Sequence, residues 1–326
     1  MKFLAAFAAA LALVALASAP ARAASALERI RVALSTKDYG YLPLFVGMRA
    51  GFFKDEGLDV QWLVVNTNVV VTALMAGEID VAGAAGSAMR AATRGAPLKA
   101  IFFTHQRCTF VLVGAPEIKR VQDLKGKVIG ITAPGGSTEI ASAMVLEHYG
   151  LNPKKDVTYF SAGGAETAVQ AMQQGIIQAR AFNPDAAFIL KKKGFTELAS
   201  LADIGAWPWA GYATSEAKLT HERGKIKRWT RAMVRSLQLM LKNREETIKI
   251  AMREFKHPRD VAESASAVSV RAIDPRDPGG ASEESLKQNI ELTITAPMQL
   301  KDPPPINKVV DFSVLREVQK ELGVGR

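Results

Sequence analysis

Apolar positions along this chain fall in short blocks that switch between strand and helix periods. Residues 30–35 and 59–65 read as strands, and 42–50 and 68–76 as helices, the first ending at Gly51. A short strand at 79–82, a helix at 87–93 and a strand at 98–104 continue the series. Regular alternation of this kind predicts an α/β protein whose largely parallel sheet is covered by helices. The order then restarts, with strands at 127–132, 157–161 and 179–183 and helices at 138–149, 167–174 and 186–193.

The restart is written in residues as well as in pattern. Gly57-Leu58 before one strand is matched by Gly150-Leu151 before another. Ala73-Leu74-Met75-Ala76-Gly77-Glu78-Ile79-Asp80 is matched by Ala171-Met172-Gln173-Gln174-Gly175-Ile176-Ile177-Gln178. The offsets nearly agree, so two similar lobes are expected. The strand-like run 108–114 ends the first lobe, and Trp207-Pro208-Trp209 leads back to it. This gives 27–114 plus 210–326 as one lobe and 115–209 as the other, joined by two crossing segments. From about 218 onward the pattern is helical. Ile226, Trp229, Met233, Leu237, Met240 and Leu241 form one apolar stripe. Lys227, Arg228, Arg231 and Arg235 lie mainly off the stripe and are expected on a solvated face. A final helix is expected at 312–322.

The N-terminus changes the picture of where the lobes work. Lys2 precedes a nearly unbroken apolar run at 3–19, and Ala21-Arg22-Ala23 supplies a small-x-small cleavage pattern. These are the three parts of a secretory signal, with cleavage expected after Ala23. The run is short and alanine-rich for a span, which needs roughly 20 strongly apolar residues. Cys108 is the single cysteine, so no disulfide forms within the chain, and none sits where a lipid anchor would be attached. A periplasmic, unanchored monomer is expected. Formal charge is +10, of which Lys2 and Arg22 carry two, leaving +8 after cleavage. The basic residues are scattered and the chain is read as exported, which argues against a nucleic-acid partner. Attraction to an anionic ligand or membrane face, or simple solubility, are the readings left.

In open parallel sheets, ligands settle beyond the carboxyl ends of the strands. The loops placed there are short and rich in glycine and hydroxyl groups, which let a ligand approach the backbone. In the first lobe they offer Ser35, Tyr39, Tyr41, Asn66, Gly86 and Ser87. In the second they offer Gly135, Gly136, Ser137 and Thr138, then Gly163 and Gly164, then Asn183 and Asp185. Pro134-Gly135-Gly136-Ser137-Thr138 is the sharpest, because two glycines ahead of hydroxyl residues at a helix start suit an anionic group. Helix capping by Ser137 or Thr138 is the structural alternative, and an Asx turn is the alternative for Asn183 and Asp185. Trp207 or Trp209 could face the ligand from the hinge, and Arg107 could pair with an anion. The four histidines are dispersed, and neither a nucleophile elbow nor a phosphate loop occurs. No catalytic residue, metal site or cofactor is expected.

Several phrases resemble one family, the binding proteins for nitrate, alkyl sulfonates, taurine and thiamine precursors. They are Tyr41-Leu42-Pro43-Leu44-Phe45-Val46, Ala50-Gly51-Phe52-Phe53-Lys54-Asp55-Glu56-Gly57-Leu58-Asp59-Val60, and Asp123-Leu124-Lys125-Gly126-Lys127-Val128-Ile129-Gly130. The likeness runs from about residue 30 to 241. It implies a two-lobed type II periplasmic-binding fold that closes on a small molecule and hands it to an inner-membrane ABC permease. The same likeness leaves two other roles open: a sensor module presenting ligand to a receptor, and an enzyme of the related pyrimidine-synthesising branch. That branch carries a cysteine-rich motif, which this chain lacks. The chain also departs from the family at Gln178, where an Asp is usual, a position expected to be structural.

Overall fold

The computed structural model describes residues 26–65 and 67–325, so the expected signal segment and Asn66 lie outside the described residues. The first lobe opens β1 (Glu28–Leu34), α1 (Leu42–Arg49), β2 (Leu58–Val64), α2 (Thr67–Met75), β3 (Val81–Gly83), α3 (Ala85–Thr93) and β4 (Leu98–His105). The chain then crosses into β5 (Val111–Gly114), β6 (Lys127–Ile131), α4 (Ser137–His148), β7 (Val157–Ser161), α5 (Ala165–Gln173), β8 (Ala179–Phe182), α6 (Pro184–Lys192) and β9 (Thr196–Ser200). It returns as β10 (Trp209–Ser215) and finishes with helices that include α7 (Arg223–Lys242), α8 (Arg244–Phe255), α9 (Arg259–Arg271), α10 (Glu283–Ile290) and α11 (Ser313–Glu321).

Two five-stranded sheets result, ordered β2-β1-β3-β10-β4 and β7-β6-β8-β5-β9. In each, the first three strands are parallel and the fourth runs antiparallel to its neighbours. That fourth strand is the one contributed across the crossing. The lobe boundary expected at residue 114 is therefore corrected. Val111–Gly114 bonds to β8 and β9 of the second sheet, so the first crossing lies at residues 106–110. An apolar run cannot reveal which of two sheets will take it; only the hydrogen-bonded partner does.

The quasi-repeat extends to backbone hydrogen bonds. Asp80 Oδ2 accepts the Arg31 N–H at 2.6 Å, and Gln178 Oε1 accepts the Val128 N–H at 3.0 Å. The residues at 31 and 128 occupy matching places on β1 and β6, so Gln178 performs the strand-tying task of Asp80 without its charge. Each lobe has its own apolar core, one centred on Phe45, Phe102, Tyr212 and Trp229, the other on Leu112, Val145, Phe182 and Trp207.

The basic side of α7 is less solvated than expected. Arg228 pairs with Glu28, Arg231 with Glu56 at 2.8 Å and Glu321 at 2.5 Å, and Arg235 with Asp55 at 2.8 Å. These pairs staple α7 to β1, α11 and the turn after α1. The lobes also touch away from the crossings, where α6 packs on α9 and Lys192 meets Asp260 at 2.5 Å.

Candidate functional site

Between the lobes lies a cavity of about 940 Å³, near the upper end of the range of small-molecule sites. Its first-lobe wall comes from the loop after β1, the start of α3 and the end of α10; its second-lobe wall comes from the ends of β6 and β8 and the starts of α4, α5 and α6. The strand carboxyl ends thus converge on the cleft. Ser35, Tyr41, Gly86 and Ser87 line it from one side. Gly135, Gly136, Ser137, Thr138, Gly164, Asn183, Asp185 and Trp207 line it from the other. Of the expected residues that are described, two are not among the lining. Tyr39 is buried in the core of the first lobe, because its ring stacks on Phe255 at 4.3 Å and on His257 at 6.0 Å at the end of α8. Gly163 turns its carbonyl to Arg180 instead. Arg107 is exposed and donates to the Ala202 carbonyl at 3.1 Å, which ties the two crossing segments together.

Close packing explains the first-lobe wall. The Tyr41 hydroxyl donates to the Gly83 carbonyl, and a Cβ at residue 83 would stand 2.6 Å from the Tyr41 ring. Glycine is needed there for the tyrosine to seal the end of the sheet. In the second lobe, Gly135 has φ +70° and its N–H reaches Glu139 Oε2 at 2.7 Å, which turns the chain into α4. The N-cap of α4 is Gly136, and no side chain caps it. Thr138 is buried, and its Oγ1 accepts the Thr132 N–H at 2.8 Å, so it ties the loop back to β6. The Ser137 hydroxyl has no partner among the described residues. Similarly, Asn183 precedes Pro184 without capping α6. Phe110, Trp207 and Trp209 form an aromatic wall at the crossings, with Trp209 4.7 Å from Phe110 and 5.2 Å from Trp207.

The charged groups on the cavity were mostly not foreseen. Arg180 on β8 is 4% exposed. Its Nη1 donates to the Gly164 carbonyl at 2.7 Å, and its Nη2 donates to the Gly163 carbonyl and to Thr132 Oγ1, each at 3.0 Å. Its guanidinium lies 5.2 Å from the centre of the Phe182 ring, and its Nε is buried with no partner. Among the described residues no carboxylate stands within 4.0 Å of it, and burial lowers its pKa. A buried cation without a counter-ion is costly unless something else neutralises it. Arg90 on α3 lines the opposite wall, held by Ser87 Oγ at 3.1 Å, likewise without a carboxylate. Its pKa is lowered by burial and by Arg94.

Two acids complete the lining. Asp38 accepts the Gly40 N–H at 2.8 Å, and burial, helped by the nearby Asp185 charge, pushes its carboxyl up to about 6. Asp185, in the first turn of α6, is raised by burial; its Oδ1 is buried without a partner and its Oδ2 lies 3.9 Å from His257 Nε2. Arg180 carried a legible signal, since a charge inside the apolar strand Ala179-Arg180-Ala181-Phe182 is informative. Asp38 and Arg90 did not stand out from ordinary surface charges, and Asn289 and Thr293 come from the region beyond the family phrases. Cys108 is buried, its thiol pushed up by that burial, and it does not line the cavity. Among the described residues no group of three His, Cys, Asp or Glu is placed to hold a metal ion, and no helix is long and apolar enough to cross a membrane.

Residues 39–247 match the family described as NMT1/THI5 like, and the chain belongs to that family. The curated relatives include YtlA of Bacillus subtilis strain 168, 26% identical over 65% of this chain and 66% of its own length. They also include the riboflavin-binding protein RibY of Chloroflexus aurantiacus, 25% identical over 72% of this chain and 69% of its own. Among solved structures, the periplasmic aliphatic sulphonate-binding protein SsuA of Escherichia coli superposes with a TM-score of 0.68. It is 18% identical, with 87% of this chain and 92% of that one covered. The desulfurization enzyme DszB has a TM-score of 0.64 at 12% identity, covering 90% of this chain and all of that one. The fold is the one shared by periplasmic binding proteins.

Proposed function

We propose that this chain is the periplasmic solute-binding component of an ABC importer, and that it closes its two lobes on a small organic anion. The observation that carries the reading is Arg180, buried on the cavity without a carboxylate and with its Nε unpartnered. Arg90 on the facing wall, the unpaired Ser137 hydroxyl and the start of α4 add donors to the same space. The anion would be a sulfonate, taurine, nitrate or a carboxylate. Ligand contacts from both lobes would favour the closed state, which the inner-membrane permease then recognises.

The enzymatic alternative draws on a cysteine-rich motif, which this chain lacks. The thiol is buried away from the cavity, and no histidine belongs to its lining. A sensor that presents ligand to a membrane receptor would need the same lobes and cleft. Neighbouring genes separate the two roles, since a permease and an ATPase support import and a receptor kinase overturns it.

The binding reading is tested by a thermal-shift screen over sulfonates, nitrate and aromatic carboxylates. An anion at a hundred times its Kd adds about 2.7 kcal/mol, a shift of several degrees. Arg180→Gln should abolish the shift while leaving a cooperative melt. A screen in which no anion moves the melting temperature, or in which Arg180→Gln responds like the wild type, sinks the reading.

A further inference from the structure

Resting on that anion reading, the cavity also holds an oppositely charged feature that the anion does not explain. Asp38 belongs to the loop after β1 and Asp185 to the start of α6, so the two carboxylates reach the same cavity from different lobes. Among the described residues neither has a Lys or Arg within 4.0 Å, and the one basic neighbour is His257, 3.9 Å from Asp185. Asp185 Oδ1 is buried and accepts no hydrogen bond. Two acids gathered in a partly water-excluded space repel each other, and the arginines lining the cavity do not pair with them. Fold stability gains nothing from this arrangement, which makes sense when a bound group supplies the positive charge that both acids lack and a donor for Asp185 Oδ1.

We infer that Asp38 and Asp185 form a cation-accepting subsite, so that the ligand is an organic anion that also carries an ammonium group. Arg180 takes the anionic end, and the carboxylate pair takes the amino end. Because the pair has one member on each lobe, the ammonium group bridges the cleft and favours closure, whereas an anion lacking it leaves the two acids unneutralised. The cavity volume of about 940 Å³ accommodates both ends of such a molecule together with an apolar or aromatic middle against Phe110 and Trp209.

Calorimetric titration with matched pairs tests this directly: 3-aminopropanesulfonate against propanesulfonate, and 4-(aminomethyl)benzoate against 4-methylbenzoate. The amino member of at least one pair should bind on the order of tenfold tighter, the worth of one charge-assisted hydrogen bond. Asp185→Asn should bring that ratio close to one by weakening the amino compound and strengthening its amino-free partner. Asp38→Asn, which keeps the acceptor for Gly40, should act in the same direction and covers the case in which the first variant fails to fold. Arg180→Gln should weaken both members of a pair alike. If amino-free anions bind as tightly as their partners, or if both Asp variants leave the ratio unchanged, the subsite is overturned while the anion reading stands. If none of the four compounds binds, or if Arg180→Gln alters neither member, the anion reading itself falls and the subsite with it.

Discussion

Replacing Asp80 by Asn should cost this protein about 3 kcal/mol, far more than the matching change in the second lobe. Asp80 is fully buried; its Oδ1 accepts from Lys218 Nζ at 2.6 Å and its Oδ2 from the Arg31 N–H at 2.6 Å. Lys225 Nζ lies 3.4 Å away. Burial alone would raise the carboxyl, but the Lys218 hydrogen bond, the Arg31 bonds and the Lys225 charge prevail and hold it at about 2. An Asn keeps an acceptor for the backbone but leaves Lys218, only 6% exposed, without its buried counter-charge. Breaking such a pair typically costs about 3–5 kcal/mol, and the lower end applies because Glu222 still reaches Lys218 at 2.8 Å. Gln178→Ala, which loses a half-buried bond from the Val128 N–H and a solvent-exposed one to the Gly175 carbonyl, should cost only about 1 kcal/mol. Urea unfolding followed by tryptophan fluorescence measures both, since Trp229 and Trp207 report on separate cores. The pH dependence provides an internal check. The folded pKa lies below the ordinary carboxylate value, so this stabilisation is present above pH 4 and is lost as pH falls toward 2. The wild-type advantage over Asp80→Asn should shrink by roughly 2 kcal/mol across that window. A variant within about 0.5 kcal/mol of wild type at pH 7 would refute the account of the buried pair.

Other predictions address the cavity. Ser137→Ala should weaken a bound anion and spare the fold, whereas Thr138→Ala should lower stability by about 1 kcal/mol because its Oγ1 holds the Thr132 N–H; equal effects on melting temperature would contradict this division. Asp38 is raised to about 6, so the folded state holds its proton longer than the unfolded chain and stability falls as pH rises from 4 to 6. Asp38→Asn should therefore be more stable than wild type by about 1–2 kcal/mol at pH 7.5 and equal to it near pH 4, as read from denaturation midpoints. Solution scattering at saturating ligand should show a smaller radius of gyration than without it; unchanged dimensions would count against hinge closure.

Both the α/β class and the presence of two lobes were legible in the chain. The parallel cores came through because each βα unit carries its own apolar period. The repeat came through because the turns before its strands need the same small residues, as at Gly77 and Gly175, both with positive φ. Most of the expected cleft residues do line the cavity, since they follow from where strands end. Tyr39 misled, because burial of a loop aromatic depends on Phe255, more than two hundred residues away.

By itself the sequence determined the local elements, the repeat and the glycine-hydroxyl loops, all of which depend on neighbours along the chain. Only the tertiary structure decided the fate of 111–114, the staple role of the α7 arginines, and the identity of the charged groups in the cleft. A charge becomes chemically pointed when it is buried without a partner, and partners for Arg180, Asp38 and Asp185 could come from any part of the chain. Composition cannot report a missing partner. The fold does, by enclosing those groups in one cavity with no Lys, Arg, Asp or Glu of opposite charge against them among the described residues, and by leaving Arg180 Nε and Asp185 Oδ1 without hydrogen-bond partners.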